Sequence, residues 1–274
     1  MDYGEKKRAL ITYLSELAEK DLAVAFSGGV DSSLLLFLCC NATRQKGTQV
    51  TAVTVQTSLH PHEDAELARR VAEAAGAHFE KIQTDVLDEA GIRMNPEDRC
   101  YRCKRHLFGK LLERAAQLGA PHVLEGTNAD DLQVYRPGLR ALSELGILSP
   151  LAQMGVTKAE VRQLASEMGV PVAKRASMPC MATRFPYNTR LDTQLMGRLG
   201  EAEAWLRSQG FYNVRLRVHG DIVRLETDAK DFEKLLAVRQ TVTERLKAIG
   251  LAYITLDLEG YRSGSMDIHI KERK

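Results

Sequence analysis

The run Ser27-Gly28-Gly29-Val30-Asp31-Ser32-Ser33 holds the residues best placed for chemistry in this 274-residue chain. It lies between LAVAFS, which reads as a buried strand, and SSLLLFLCC, which reads as the helix that follows. Two glycines let a backbone approach an anion closely. The next helix offers N–H groups at the positive end of its dipole, and three serine hydroxyls are donors for phosphate oxygens. Asp31 is a candidate ligand for Mg²⁺. An ordinary glycine turn capped by Asp31 or Ser32 would use similar residues, but seven such residues between strand and helix point to a nucleotide phosphate site. The spacing is not GxxxxGK[ST], so it is not a Walker A loop.

The second set of candidates is the cysteines, of which there are five. Cys39 and Cys40 fall inside the apolar helix after the loop, where free cysteine behaves as a small hydrophobe, and are assigned to the core. Cys100 and Cys103 form CYRC beside charged residues, and Cys180 lies in the loop sequence SMPCMATRFPY. A CxxC pair is compatible with zinc, a redox pair, a cluster or chance. Zinc wants four ligands, which His106 and Cys180 would complete. Three cysteines on a 4Fe-4S cluster would instead leave one iron open to carry an extra sulfide, a sulfur donor. Alternatively Cys180 is itself the nucleophile and donor, its thiolate favoured by Lys174, Arg175 and Arg184. It would then end as dehydroalanine by β-elimination. Both schemes put Cys180 at the centre.

These residues need elements to position them. Glu5 to Lys20 carries Leu10, Leu14 and Leu17 at helical spacing, and LAVAFS follows. Strands VTAVTVQ, HFEKIQT and HVLEGT then alternate with helices around Glu63 to Ala75 and from Lys104 to Leu118. Such alternation predicts an α/β fold, a parallel sheet with helices on both faces, and ligands beyond the carboxyl ends of the strands. The loops after Phe26, Val55 and Gly126 are therefore where chemistry belongs. From about Phe185 the rhythm changes to a helix, then the hairpin NVRLRVHGDIVRLET turning at His219-Gly220-Asp221, a helical stretch from Ala229 to Ile249 and the strand YITLDLE. The expected organisation is a large domain over 1–185 and a small α+β domain over 186–274, like half of a ferredoxin-like unit.

The loop SGGVDSS resembles the SGGxDS signature of the PP-loop ATP pyrophosphatases. That resemblance implies ATP binding, release of pyrophosphate and transfer of AMP to a substrate oxygen, which becomes a good leaving group. A more specific resemblance runs over nearly the whole chain: NPEDRCYRCK (95–104), EGTNADD (125–131), YRPGLRA (135–141), SPLAQMGVTKAEVR (149–162) and PCMATRFPY (179–187). The chain is similar to the LarE family, ATP-dependent sulfur transferases of nickel-pincer nucleotide biosynthesis. The resemblance implies adenylylation of the carboxylates of pyridinium-3,5-biscarboxylic acid mononucleotide and their conversion to thiocarboxylates. It places this chain among the three-cysteine members, with Cys100, Cys103 and Cys180 on a 4Fe-4S cluster. It points to Arg215 and Arg217, which alternate on one strand and share a side, for the substrate phosphate; a solvated strand face is the bland alternative. Asp130 and Asp131 are candidates for Mg²⁺ or for holding the ATP loop, against a helix N-cap. Arg136 and Arg184 are candidates for the phosphates or the adenylate, and Glu201, Asp228 and Asp231 for metal. Met181 stands where leucine is usual in the family, and KRASMPC lacks the proline that often follows the lysine.

Composition narrows the class. A net charge of +2 from 38 basic and 36 acidic residues gives no bulk electrostatic footprint for nucleic acid. That balance, with no zinc-knuckle pairs, argues against a PP-loop tRNA thiolase. An ammonia-using synthetase would have no use for three cysteines in polar context. A nucleotide or cluster sensor would not need a Mg²⁺ ligand in its loop. The N-terminus MDYGEKKRAL shows no signal peptide pattern, and no stretch approaches the roughly 20 apolar residues of a membrane span. The expectation is a cytoplasmic enzyme with ATP, Mg²⁺ and a 4Fe-4S cluster. It would act on a small nucleotide without nucleic acid or membrane partners, as a homo-oligomer in transient contact with other proteins of the same biosynthesis.

Overall fold

A computed structural model describes the chain except residues 61, 135, 174–178, 263 and 269–274 and the side chains of 62–64. The described chain divides into two compact units. One comprises 1–92 with 98–177, the other 93–97 with 178–274. The change of rhythm after residue 185 thus falls inside the second unit.

The first unit begins with α1 (Tyr3–Leu17), started by a capping box in which Asp2 accepts from the Glu5 N–H and Glu5 returns the bond. Then come β1 (Leu22–Ala25), α2 (Val30–Lys46), β2 (Val50–Gln56), α3 (His62–Ala75), β3 (His78–Gln83), α4 (Val86–Glu89), α5 (Arg99–Gln117) and β4 (His122–Leu124). The short helices α6 (Gly138–Glu144) and α7 (Pro150–Gln153) and then α8 (Lys158–Glu167) complete it. The four strands are parallel in the order β3-β2-β1-β4, and a bridge from Leu124 to Leu148 extends the β4 side. Strand alternation separates two cores. Leu22, Val24 and Ala52 pack with α1, α2, α3 and α8, whereas Ala23 and Val53 pack with Leu111 and Ala115 of α5 and Leu142 of α6. From β1 the chain moves out through β2 to β3, then returns to the other side of β1 as β4. The direction reverses between β1 and β4, the place where open parallel sheets bind ligands.

Two sequence readings shift. β4 ends at Leu124 rather than continuing through EGT, because Glu125 turns back to accept from the Thr127 N–H and hydroxyl. α5 starts at Arg99, ahead of the expected Lys104, so Cys100 and Cys103 sit in its opening turns.

The second unit contains α9 (Thr193–Ser208), capped by Asp192, and a hairpin of β5 (Val214–His219) and β6 (Ile222–Thr227). Its turn places Gly220 at φ 61°, a conformation glycine adopts without cost. The helix expected from 229 to 249 is broken into α10 (Phe232–Ala237) and α11 (Arg239–Ala248), after which β7 (Tyr253–Leu256) pairs parallel to β6. β7 lies directly beside β6, so the pair is not split by an intervening strand as in a full ferredoxin-like unit. Among the described residues no helix is long and apolar enough to cross a membrane.

Candidate functional site

The loop after β1 has the shape its sequence predicts. Gly28 takes φ 68°, and a Cβ there would meet Ala68 of α3 at 3.3 Å. Gly29 is the N-cap of α2 and, having no side chain, supplies no side-chain cap. The opening turn of a long helix thus faces the loop with its dipole. The three serines do not act alike. Ser27 is exposed; Ser32 is buried and donates to the Gly29 carbonyl, with its hydroxyl 3.1 Å from that of Ser27. Ser33, one turn into α2, faces the core at 0% exposure, and its hydroxyl has no hydrogen-bond partner among the described residues. Helical rotation takes it away from the phosphate side, so it serves the loop from behind. Across the switch point, Gly126 packs against the same helix end. A Cβ there would lie 2.8 Å from the Ser32 nitrogen and 3.0 Å from the Asp31 carbonyl carbon.

Asp31 is held from two directions. One carboxylate oxygen accepts from the Asn128 amide at 3.0 Å, and the other from the Lys158 ammonium at the start of α8. Asn128 is itself an N-cap, accepting from the Asp130 and Asp131 N–H groups while Asp131 accepts from the Asn128 N–H. Asp131 also pairs with the exposed Arg136 at 2.7 Å, and Asp130 accepts from the Lys158 N–H at 2.9 Å. The two aspartates therefore brace the loop that carries Asn128. Asp31 is thus a seat for positive charge beside the helix end, as a Mg²⁺ ligand completed by phosphate oxygens would need. Lys158 and Asn128 were within quoted motifs but were not singled out, since no local pattern tells which distant carboxylate they reach.

Cys39 and Cys40 are buried, as expected, and burial pushes the Cys40 thiol up to about 11 and the Cys39 thiol higher still. Cys100 and Cys103 share the first turns of α5 in the first unit, partly exposed; Cys180, partly exposed, lies in the second. His106, the candidate fourth zinc ligand, instead meets Thr84 at 3.0 Å and Glu89 at 3.4 Å. It lines a groove with Tyr101, Arg105 and Lys110 that includes no phosphate-loop residue. No group of three His, Cys, Asp or Glu side chains that could hold a metal occurs among the described residues. Lys174 and Arg175, read as aids to the Cys180 thiolate, and Tyr135 lie outside the described residues.

The arginines of the second unit are buried, which excludes a solvated strand face for Arg215 (1% exposed) and Arg217 (4%). Arg217 bonds Glu226 at 3.1 Å and the Thr183 carbonyl at 2.8 Å. Arg215 donates to the Val214 carbonyl and stacks 5.1 Å from the Tyr261 ring; burial and then the nearby Arg184 charge depress its ionisation. Arg184, at 0% exposure, forks onto Glu203 at 2.9 and 2.6 Å. Its remaining nitrogen bonds the Pro179 and Cys180 carbonyls and the Thr183 hydroxyl. Buried, and with all three guanidinium nitrogens engaged, Arg184 is not open to an incoming phosphate and instead supports the Cys180 turn. Burial, the largest influence, opposes ionisation of Glu203, but the charge and hydrogen bonds of Arg184, the Arg215 charge and the Leu216 N–H together outweigh it and hold the carboxyl below the ordinary range. Three buried arginines against two buried glutamates leave this region positive and suited to an anion. Glu203 and Glu226 carry no motif signal and were not anticipated. Glu201 is exposed, and Asp228 accepts from Asn213 at 3.0 Å.

Residues 4–134 match a PP-loop domain. The chain is 36% identical to pyridinium-3,5-bisthiocarboxylic acid mononucleotide synthase of Lactiplantibacillus plantarum, over 96% of this chain and 94% of that protein. It is 36% identical to an uncharacterised protein of Synechocystis over 97% of this chain and 94% of that one. Similarity to a tRNA-specific 2-thiouridylase of Pelotomaculum thermopropionicum, 29% identical, covers 57% of this chain and 53% of the other.

Proposed function

We propose, from the premise that this chain belongs to the LarE family of PP-loop sulfur transferases, that it adenylylates the carboxylates of pyridinium-3,5-biscarboxylic acid mononucleotide and converts them to thiocarboxylates. The observation that carries the reading is the full-length similarity to a synthase of the bisthiocarboxylic product, joined to a phosphate loop at the switch point of a parallel sheet.

The α2 N-terminus and Ser27 hold the pyrophosphate end of ATP, and Gly126 lets the chain approach without a side chain between them. Asp31 would hold Mg²⁺, which would neutralise phosphate charge, and Lys158, paired with Asp31, is the ammonium nearest to hand for the phosphates. A substrate carboxylate oxygen attacks the α-phosphorus, the bond to the β-phosphate oxygen breaks, and pyrophosphate leaves with that electron pair. Sulfur then attacks the acyl carbon, and AMP departs with the C–O electrons to give the thiocarboxylate. Arg215 and Arg217 supply the positive surroundings for the substrate phosphate. Cys100, Cys103 and Cys180 are partly exposed thiols outside the apolar cores, and they would be the residues to hold a 4Fe-4S cluster, which would supply the sulfide. The enzyme is proposed to be cytoplasmic and homo-oligomeric, meeting other proteins of the same biosynthesis transiently.

The test is anaerobic incubation of reconstituted protein with the biscarboxylic substrate, MgATP and sulfide, following AMP, pyrophosphate and the mass gain of oxygen-to-sulfur exchange. Thiocarboxylate formed over several turnovers, with roughly four irons per chain lost on Cys100→Ala, Cys103→Ala or Cys180→Ala, is the expected result. No AMP or pyrophosphate on adding the biscarboxylic substrate would overturn the substrate, and AMP without thiocarboxylate would overturn the sulfur transfer. If the protein binds no iron and Cys180 loses the mass of H₂S after one turnover, sulfur comes from Cys180 itself.

A further inference from the structure

The turn that presents Cys180 is short. Residues 181–184 form a single 3-10 turn, with the Thr183 hydroxyl on the Cys180 carbonyl at 2.8 Å and the Thr183 N–H on the same oxygen at 3.1 Å. So small a turn has little stability of its own. Two guanidinium groups hold it from beneath: Arg184 takes the Pro179 and Cys180 carbonyls, and Arg217 takes the Thr183 carbonyl. Arg184 is in turn fixed by Glu203, which lies on α9, is 1% exposed, and also accepts from the Leu216 N–H of β5 at 3.0 Å. The fork geometry leaves Arg184 one orientation, because a carboxylate engaging two guanidinium nitrogens fixes the plane of the group.

We infer that Glu203 is a positioning residue for sulfur delivery: acting through Arg184, it fixes the backbone on both sides of Cys180 and so the direction in which that sulfur is presented. This rests on the reading of Cys180 as the sulfur-delivering or cluster-holding residue. Among the described residues Glu203 bonds Arg184, Arg207 and the Leu216 N–H, and on this reading none of these activates the substrate, so its loss separates presentation of sulfur from activation.

The experiment uses the full chain with Glu203→Gln. It also uses the double variant Glu203→Gln with Arg184→Met, which removes both charges of the pair so that neither is left buried without the other. Arg207→Gln is the control, since Arg207 reaches the same carboxylate only at 3.6 Å and from a partly exposed position. Hydrogen exchange of the Thr183 and Phe185 amides and the two half-reactions, pyrophosphate release and thiocarboxylate formation, are measured on each. Expected for both Glu203 variants is at least tenfold faster exchange at these amides and at least tenfold slower thiocarboxylate formation. Pyrophosphate release stays within about threefold of wild type, and Arg207→Gln is unchanged throughout. Unaltered exchange, or equal loss of both half-reactions, overturns the inference. A wild-type protein that forms no thiocarboxylate refutes the functional reading instead, while exchange still decides whether the clamp exists.

Discussion

Gly126→Ala puts one methyl group where the structure has no room for it. The added Cβ would stand 2.8 Å from the Ser32 nitrogen, 3.0 Å from the Asp31 carbonyl carbon and 3.1 Å from the Ser32 Cα, all backbone atoms of the opening turn of α2. Carbon contacts are comfortable at about 3.5 to 4.0 Å, so the helix end must retreat by about half an ångström or more. Overpacking of this kind costs about 1–3 kcal/mol. At about 2–4 °C per kcal/mol for domains of 150–250 residues, the melting temperature of the first unit should fall by several degrees. The same helix end cradles the phosphates, and misplacement on the order of 1 Å costs about 100-fold. kcat/KM for ATP should therefore fall roughly 10- to 100-fold. Gly109→Ala is the internal standard: it lies within α5, and its Cβ would meet nothing within 4 Å. There the same methyl should stabilise by about 0.5–1 kcal/mol through helix propensity alone and leave kcat/KM for ATP unchanged. Scanning calorimetry and pyrophosphate release read both. If the two variants shift stability in the same direction, or Gly126→Ala keeps wild-type kinetics, the packing argument is wrong.

Lys158→Met should lower pyrophosphate release at least tenfold while changing stability by less than about 1 kcal/mol, because its pair with Asp31 is partly solvated; parallel loss of folding would contradict this. In folded, cluster-free protein at pH 8, iodoacetamide followed by mass spectrometry should label Cys100, Cys103 and Cys180 and spare Cys39 and Cys40, whose thiols burial keeps protonated. Glu203 bears on acid stability with a definite sign. Its folded carboxyl lies below the unfolded value of about 4.3, so its contribution is complete above that pH and is lost as pH falls through the folded value. The melting-temperature gap between wild type and Glu203→Gln should therefore narrow as pH falls from about 6 toward 3; a constant gap would place the stabilisation elsewhere.

What could be read in the chain was whatever repeats at short range. SGGVDSS announced itself because strand, glycines and helix are contiguous, and the parallel sheet followed from strands alternating with helices. Gly220 in the hairpin turn was legible for the same reason. Gly126 was seen only as part of a loop, since what forbids its Cβ lies in Ser32, remote in sequence and adjacent only once β1 and β4 pair. Lys158 was hidden similarly, with 127 residues separating it from Asp31. The start of α5 was missed because RCYRCKRH shows charge rather than apolar periodicity, although Asp98 and Arg102 lie one turn apart and bond at 2.8 Å. Arg215 and Arg217 were placed on one side of a strand by alternation, but that this side is buried depends on Glu226 and Thr183. Arg184 was read as a ligand contact because a sequence cannot show that Glu203 and three backbone or hydroxyl oxygens already occupy it.

The stretch 93–97 belongs with the second unit although both flanks belong to the first. Asn95 is fully buried there in a left-handed conformation, φ 51°, its amide donating to the Phe185 and Pro186 carbonyls and its own carbonyl accepting from the Asn188 N–H. On a ribosome these partners do not exist when Asn95 emerges. The first of them is 90 residues behind, which at about 5–20 residues per second is a wait of roughly 5 to 20 s. During that interval the side chain lacks the two carbonyls that its amide meets in the folded chain. The second unit therefore cannot be completed from its own contiguous segment, and a chain cut at 177 would leave this segment in the amino-terminal fragment without the carbonyls it was built to meet.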